Sequence, residues 1–469
     1  MSRENVFISA AETAKQIEYA HLAQSLLELR FGTNPKAYVH TYGCQGNVSD
    51  SERIKGLLRT MGFSFCSSAE EADLVLFNTC AVREHAEARV FGNVGALKPI
   101  KTKKRDMLIL LCGCMMQQPH IAQKIKMSYP IVDIVFGTFA VHRLPELVYR
   151  RLQGSKRIFE IGGEGNIAEG LPVYRDRSFK AWLPIMYGCD NFCSYCVVPY
   201  VRGRERSRHH KDIQAEARQL IADGALDITL LGQNVNSYGK GLDTGLDFSD
   251  LLRLINDTEG EFLLRFMTSH PKDCSKRLLD TMADCSKVAH HLHLPFQSGN
   301  NRILSEMNRR YTVEKYMELI DYARLVMPDI SITSDVIVGF PGETDAEFRD
   351  TLELIKRVEF TSLFTFIYSP REGTKAALMP DPVSREEKTA RLQELCELQE
   401  KIAAERTASY KGKSFRVLVE ESEGNGVLVG RTDGNVNIRF KADESLIGTY
   451  QTLTVTDALS WVITGELDK

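Results

Sequence analysis

Short apolar runs alternate with longer amphipathic segments over most of the chain, in two successive series. In the first series the apolar runs begin at Ala37, Asp73, Met107 and Val132, and segments of helical periodicity separate them. Strands that alternate with helices are typical of a parallel sheet covered by helices. We therefore predict an α/β fold whose N-terminal part, residues 36–150, is a doubly wound parallel sheet.

A second series of strand–helix units follows over residues 181–405. Its apolar runs are Leu183–Tyr187, Asp227–Leu231, Phe262–Met267, His291–Leu294, Ile332–Val338 and Leu363–Ile367. Polar, glycine-bearing loops follow these runs at the predicted carboxyl ends of the strands. The pattern predicts an open, partial (β/α)6 barrel with its catalytic face at those loops.

The remaining segments have patterns of their own. Residues 1–35 have apolar side chains near helical spacing, among them Ile17 and Leu22, and predict a helical N-terminal extension. Residues 151–180 are irregular and rich in glycine, which predicts a linker. Residues 406–469 contain short strands separated by Gly, Asn and Asp turns, which predict a small antiparallel β-barrel.

The composition changes this picture mainly by limiting where RNA or metals can bind. Hydrophobic residues make up 43% and charged residues 26% of the 469 positions, as in globular proteins of about three domains. The net charge of -3 gives no overall field for nucleic acid, so any RNA affinity must come from local patches. The sequence contains neither a bilayer-spanning apolar run nor a signal-peptide pattern. The eleven cysteines therefore predict reduced thiols and metal ligands in a cytoplasmic protein without membrane contact.

Three cysteines stand at C-x3-C-x2-C spacing after the first strand of the second series: Cys189, Cys193 and Cys196. Soft thiolates this close suit an iron–sulfur cluster or zinc. Three thiolates on a cube of four irons leave one iron without a protein ligand, and an open metal position supports chemistry. A structural zinc site needs a fourth ligand, and the nearest candidates, His209 and His210, lie beyond a run of arginines. We predict a [4Fe–4S] cluster with an open iron; a zinc-containing RNA-binding protein is the alternative.

Cys44, Cys80 and Cys114 each follow a predicted strand of the first series. Parallel strands share one carboxyl edge, where ligands collect. We therefore expect these thiols to meet and to hold a second cluster with an open iron. Two alternatives stay open: the three are ordinary buried cysteines, or Cys112 takes the place of Cys114. Cys114 is preferred because it lies just past the strand end and follows Gly113.

Four arginines alternate with other residues just past the cysteine loop: Arg202, Arg204, Arg206 and Arg208. In an extended segment they would share one face. Guanidinium groups suit phosphate, so we predict contact with an RNA backbone. A solvated or ion-paired surface run is the alternative.

The cysteine loop, with Tyr195 before its last cysteine, resembles the radical S-adenosylmethionine (SAM) superfamily. Both cysteine regions together resemble its methylthiotransferases, and among these the branch that modifies tRNA. The motifs that carry this resemblance are Thr41–Asn47, Asp50–Glu52, Asn78–Glu84, Gly188–Glu205 and Leu231–Asn236. The C-terminal segment resembles the TRAM module, an RNA-binding domain. One departure is Gly46, where the resemblance leads us to expect methionine or another larger residue.

The resemblance implies a transferase that adds a methylthio group to C2 of N6-isopentenyladenosine beside the tRNA anticodon. It implies two [4Fe–4S] clusters and two SAM molecules, one a methyl donor and one the source of a 5′-deoxyadenosyl radical. The implied partners are isopentenylated tRNA and a low-potential electron donor, and we expect a monomer. The sister reaction, methylthiolation of an aspartate on a ribosomal protein, is the alternative.

SAM is expected across the mouth of the barrel, close to the cysteine loop. The residues expected to contact it are Tyr195, Gln233, Asn234, Ser269, Gln297 and Gly339.

Overall fold

The computed structural model describes residues 7–82, 84–163, 165–459 and 462–468. Residues 1–6 of the predicted N-terminal extension, Arg83 of the Asn78–Glu84 motif and Lys469 of the predicted C-terminal barrel lie outside the described residues. Of the helices in the described parts of the chain, none combines the length and apolar character needed to cross a bilayer.

A six-stranded parallel sheet forms the N-terminal part of the protein. Its elements are α1 (Ala10–Phe31), β1 (Lys36–Thr41), α2 (Gln45–Thr60), β2 (Ser64–Phe65), β3 (Leu74–Thr79), α3 (Glu84–Lys103), β4 (Leu108–Gly113), α4 (Pro119–Ser128), β5 (Ile134–Phe136), α5 (Leu144–Leu152) and β6 (Ile158–Glu160). The strand order is β2-β1-β3-β4-β5-β6. Because β3 and β4 are buried along their whole length, they read as continuous apolar runs. The predicted doubly wound sheet is confirmed.

The strand order reverses between β1 and β3. In open parallel sheets such a reversal opens a crevice at the carboxyl ends of the two strands. Cys44 and Cys80 follow these two strands, so both stand at the rim of the crevice.

The segment predicted as a linker contributes to this sheet. Helix α5 continues to Leu152, and Ile158–Glu160 pairs in parallel with β5 as the sixth strand. The prediction that residues 151–180 form a linker is therefore wrong at its start. A strand of three residues is too short for periodicity to reveal.

Helix α1 packs against α5, where the Tyr19 and Tyr149 rings are 5.5 Å apart, and Ser9 caps its N-terminus. Ala20, Ala23 and Leu27 are buried, whereas Ile17 and Leu22 are 44% and 41% exposed. The spacing located the helix but placed two apolar side chains on the wrong face.

The central part of the protein carries two three-stranded parallel sheets. Its elements are β7 (Lys180–Pro184), β8 (Met186–Tyr187), α6 (Val198–Val201), β9 (Arg206–Ser207), α7 (His210–Ala222), β10 (Asp227–Leu231), α8 (Phe248–Asn256), β11 (Leu263–Phe266), α9 (Lys276–Asp284), β12 (His291–His293), α10 (Asn301–Glu306), α11 (Val313–Val326), β13 (Ser331–Val338), α12 (Asp345–Val358), β14 (Ser362–Ile367) and α13 (Arg385–Ala408). The sheet orders are β11-β10-β7 and β12-β13-β14. A parallel bridge between Leu264 and Val288 joins them into one arc. The predicted partial barrel is confirmed.

A closed five-stranded barrel ends the chain. Its strands are β15 (Ser414–Gly424), β16 (Val427–Thr432), β17 (Asn437–Lys441), β18 (Tyr450–Leu459) and β19 (Val462–Leu467). The order is β15-β16-β17-β19-β18. The predicted small barrel is confirmed, with one correction: β17 and β19 pair in parallel, so the barrel is not wholly antiparallel.

Arg265 joins the central barrel to the C-terminal barrel. Its side chain is 6% exposed, and its Nε donates to the Asp227 carboxylate at 2.7 Å. Its Nη1 and Nη2 donate to the carbonyl oxygens of Asp433 and Thr432 at 2.6 and 2.7 Å. The guanidinium thus forms an ion pair within the central barrel and two hydrogen bonds to the C-terminal barrel.

Arg265→Ala lowers the free energy of unfolding by about 3–5 kcal/mol, because removing one partner of a buried pair leaves the Asp227 carboxylate uncompensated. Chemical denaturation followed by circular dichroism measures the loss. The control is Arg253→Ala, which breaks an exposed pair with Asp284 and changes stability much less, because solvent screens exposed ion pairs. Similar losses in both variants would contradict this interpretation of Arg265.

Candidate functional site

Cys44, Cys80 and Cys114 come together at the carboxyl edge of the N-terminal sheet. Cys44 is the N-cap residue of α2, directly after the β1 loop, while Cys80 and Cys114 directly follow β3 and β4. Cys44 is exposed, and the other two are buried. A hydrogen bond with the Cys80 thiol lowers the pKa of Cys44, whereas burial raises the pKa of Cys114. The charges of Cys44 and Cys114 also act on Cys80, so the three sulfurs share one neighbourhood.

Gly43 makes this approach of the two strands possible. Its φ of +142° lies where side-chain-bearing residues are strained, and a Cβ at this position would lie 2.6 Å from the Cβ of Cys80. Any larger residue would push the Cys44 loop away from Cys80.

An asparagine pair fixes the start of α2 on the end of β3. The Asn47 side-chain amide donates to Asn78 Oδ1 at 3.1 Å and to the Thr79 carbonyl at 3.2 Å. The Asn78 amide donates in return to the Asn47 carbonyl at 2.8 Å and to Ser51 Oγ at 3.0 Å. Both asparagines are fully buried. They belong to the motifs described above, but sequence reasoning assigned them no role; here they hold Cys44 against Cys80.

Arg202 reaches the same thiols from the central barrel. Its Nε donates to Cys114 Sγ at 3.1 Å, and its Nη2 donates to Asp50 Oδ2 at 2.7 Å. The side chain is 9% exposed. A positive charge beside the thiols fits an anionic iron–sulfur cluster better than it fits three neutral thiols.

The four arginines past the cysteine loop do not share a face, so that prediction is wrong. Only Arg206 of the four lies in a strand, and β9 has two residues. Arg202 faces the thiols, and Arg208 is buried between the Glu169 and Glu216 carboxylates at 2.5 and 2.8 Å. Arg204 alone is exposed, and it pairs with Asp190. Because Arg202 and Arg208 are buried and paired with carboxylates, neither can belong to an RNA-binding surface.

The second cysteine group lies in the loop after β8. Gly188 precedes it with φ +77°, and a Cβ at this position would lie 2.0 Å from the Arg204 carbonyl oxygen. The Cys196 amide donates to the Cys193 carbonyl at 2.9 Å, which closes the loop on itself. Arg309 Nη1 donates to Cys193 Sγ at 3.4 Å. Each cysteine group thus has one buried guanidinium against a sulfur.

The donor sets fit iron–sulfur clusters. Burial raises the pKa of Cys189 to about 11 and that of Cys196 to about 12, and a bound metal reverses such a shift because it favours the thiolate. In a cube-shaped cluster each thiolate binds a different iron, so the sulfurs need not converge on one point. In the described parts of the chain, no three His, Cys, Asp or Glu side chains form a group suited to a single metal ion.

Polar atoms without partners line the predicted SAM-binding face. Ser269 Oγ, Gln297 Oε1 and Asn234 Oδ1 are buried and have no hydrogen-bond partner among the described residues. Buried polar atoms in folded proteins nearly always have partners. A polar ligand at the barrel mouth supplies such partners, so these three positions fit SAM.

The other three predicted SAM contacts have structural partners already. Gln233 accepts a hydrogen bond from the Gly188 amide and so supports the cysteine loop. Gly339, at φ +67°, donates its amide to Glu343 Oε2 at 2.7 Å. Tyr195 is half-buried against the apolar cluster that contains Phe340.

His270 is a residue that sequence reasoning missed. It is 4% exposed, its Nδ1 accepts the Lys272 amide at 3.1 Å, and its Nε2 has no partner among the described residues. Burial strongly lowers its pKa, so the ring is neutral and Nε2 carries a proton. Its place directly after Ser269, past the end of β11, is the signal that could have found it.

Gly46 is the position at which the sequence departs from its resemblance. It is the second residue of α2, and a Cβ there would lie 3.6 Å from Cys44 Sγ and 3.8 Å from Arg202 Nη2. These are ordinary contact distances. The space beside Cys44 therefore accepts a side chain that the protein does not have.

Gly46→Ala raises the free energy of unfolding by about 0.5 kcal/mol, because glycine in a helix costs up to about 1 kcal/mol relative to alanine. Chemical denaturation of the metal-free protein measures the change. Gly43→Ala is the matched control and lowers stability, since its Cβ would collide with Cys80. Equal losses of stability in the two variants would contradict the interpretation that the space beside Cys44 accepts a side chain.

Three family models match successive parts of the chain. The first is described as Uncharacterized protein family UPF0004 and matches residues 36–137. The Radical SAM superfamily matches residues 183–355, and the TRAM domain matches residues 408–467. The three matches correspond to the three sheet systems described above.

Curated relatives match nearly the whole chain. The chain is 47% identical over 466 residues to a tRNA-2-methylthio-N(6)-dimethylallyladenosine synthase from Thermoanaerobacter sp. (strain X514), covering 99% of this chain and 98% of that protein. It is 46% identical over 468 residues to a protein of the same name from Alkaliphilus oremlandii (strain OhILAs), covering 99% of each.

Among solved structures, the chain is similar to the radical S-adenosylmethionine methyltransferase TsrM from Kitasatospora setae. The TM-score is 0.54 at 15% identity, covering 74% of this chain and 77% of that one. At this identity the likeness concerns the fold alone.

Proposed function

The chain belongs to the tRNA-2-methylthio-N(6)-dimethylallyladenosine synthases, radical SAM enzymes, and we propose that its two cysteine triads divide the reaction between them. The protein is a tRNA methylthiotransferase: it adds a methylthio group to C2 of N6-isopentenyladenosine next to the anticodon. It uses SAM and a [4Fe–4S] cluster, as its superfamily does.

Cys189, Cys193 and Cys196 hold the cluster that binds and cleaves SAM. When bound, this cluster and SAM supply the one-electron chemistry that removes hydrogen from C2 of the adenine. Gln233 and Gly188 keep the cysteine loop in place, and Arg309 partners a thiolate. The unpartnered atoms of Asn234, Ser269 and Gln297 orient SAM at the barrel mouth. We keep Tyr195 and Gly339 as contacts that shape the same mouth.

Cys44, Cys80 and Cys114 hold a second [4Fe–4S] cluster, which carries the sulfur to be transferred. The N-terminus of α2, at Cys44, favours negative charge there through its unpaired amides and helix dipole. Arg202 adds a full positive charge. Cys44 is the exposed member of the triad, so substrate would approach the site from the side of Cys44.

One observation carries the division of labour: the loop that holds Cys189, Cys193 and Cys196 continues directly into residues that pack on the N-terminal triad. Val197 and Val201 form a buried cluster with Ala81 and Cys114. Arg202, the next residue, donates to Cys114 Sγ. A substrate carbon activated at one triad therefore lies close to sulfur held at the other.

We propose domain limits close to those predicted: an extension over 1–35, an auxiliary domain from 36 to β6, a radical SAM domain over 181–405 and a TRAM domain over 406–469. The TRAM domain, exposed Arg204 and half-buried Arg206 contact tRNA, while Arg202 and Arg208 are withdrawn as RNA contacts. One chain contains both triads, so we propose a monomer.

SAM cleavage is reductive and requires a low-potential electron donor. All eleven cysteines are free, which fits the reducing cytoplasm.

Nucleoside mass spectrometry tests the reaction. Reconstituted enzyme is incubated anaerobically with SAM, a reductant and isopentenylated tRNA. We expect the isopentenyladenosine to gain one methylthio group in place of hydrogen, while tRNA lacking the isopentenyl group reacts far less. Unchanged isopentenyladenosine together with a modified aspartate in a ribosomal peptide would overturn the assignment in favour of the sister reaction.

A further inference from the structure

Within the described residues, Arg202 is the side chain of the central barrel that donates a hydrogen bond to a thiol of the N-terminal domain. It is the C-cap residue of the short helix α6, which begins two residues after Cys196. The helix buries Val201 against Cys114 and Ala81. This packing fixes the backbone of Arg202 and so the direction of its side chain.

The guanidinium has two partners, and both belong to the N-terminal domain. Asp50 Oδ2 accepts from Nη2 at 2.7 Å, and Cys114 Sγ accepts from Nε at 3.1 Å. Asp50 lies on α2, the helix that Cys44 caps. Because a buried guanidinium without partners is strongly unfavourable, the side chain is held in this geometry.

Hydrogen bonds and positive charge at ligating sulfurs tune iron–sulfur clusters. They stabilise the more negative, reduced state and so raise the reduction potential. Asp50 acts in the opposite sense because its carboxylate offsets part of the arginine charge. The pair thus places two opposed charges next to the thiol of Cys114.

We propose that Arg202 is a positioning residue through which the radical SAM barrel completes the auxiliary site: it orients Cys114 and raises the reduction potential of the cluster held there. The inference rests on the proposed second cluster. It gives Arg202 a role in place of the RNA contact suggested by the sequence. The N-terminal domain by itself lacks this charge, so the auxiliary cluster acquires its final potential only in the two-domain protein.

The test uses the full chain with Cys189, Cys193 and Cys196 replaced by serine, so that only the auxiliary cluster remains. Redox titration followed by electron paramagnetic resonance gives its midpoint potential. In this background we expect Arg202→Gln to lower the potential and alter the reduced spectrum. Arg202→Lys keeps the charge but not the fork geometry, and we expect a smaller shift. Arg204→Gln is the control: Arg204 lies two residues from Arg202 but pairs with Asp190 on the surface, and we expect the potential to stay unchanged.

Asp50→Asn keeps the inference testable if Arg202→Gln fails to retain iron. It removes the opposing carboxylate with little change of shape, and we expect the potential to rise. A lower potential in Arg202→Gln together with a higher potential in Asp50→Asn supports the proposal. If Arg202→Gln loses its iron, a higher potential in Asp50→Asn supports it alone. An unchanged potential in Asp50→Asn, or in an iron-loaded Arg202→Gln, overturns it. Absence of any cluster from the serine background would instead overturn the proposed second cluster, so the two failures are distinguishable.

Discussion

Replacing Cys44, Cys80 and Cys114 together with alanine abolishes methylthiolation and leaves SAM cleavage intact. This is the largest separation of activities that the account predicts. The three thiols lie at the edge of the N-terminal sheet, and the second triad occupies its own loop after β8. Replacing Cys44, Cys80 and Cys114 removes the sulfur-carrying site and leaves the loop after β8 unchanged.

Chromatography of 5′-deoxyadenosine measures SAM cleavage, and nucleoside mass spectrometry measures the product. The control is Cys112→Ala, since Cys112 is fully buried in the core on one face of the sheet and belongs to no triad. This control retains both activities. Loss of SAM cleavage in the triple variant would count against separate roles for the two sites.

Replacing Cys189, Cys193 and Cys196 with alanine abolishes both SAM cleavage and methylthiolation. Without these thiolates the cluster that delivers the electron to SAM has no anchor, and no other step generates the radical. We expect the N-terminal triad to keep its iron in this variant. The matched control is Cys274→Ala, a buried core cysteine of the same barrel, which retains both activities. Continued formation of 5′-deoxyadenosine by the triple variant would contradict the assignment.

The sequence was sufficient to locate the cysteines of both triads on the fold. Apolar strands and amphipathic helices alternate regularly, and the carboxyl ends of parallel strands must share an edge. Once β1 and β3 are recognised, Cys44 and Cys80 are therefore predicted to lie close together. The choice of Cys114 over Cys112 follows from the end of β4, since Cys112 still lies within the strand.

The arginine run could not be interpreted in this way. Alternation suggests a strand, but the partners of these charges come from distant positions: Asp50 precedes Arg202 by 152 residues. Nothing in the local pattern separates an arginine that meets a buried carboxylate from one that meets phosphate. Strand β6 was missed for a different reason, because three residues are too few to show a periodicity.

Iron and sulfide analysis after anaerobic reconstitution tests the central claim, two separate three-cysteine sites, most directly. Two cube-shaped clusters require about eight irons and as many sulfides per chain, and each triple variant should retain about half of both. Zinc without sulfide, or an auxiliary-triad variant that keeps the full iron content, would contradict the account.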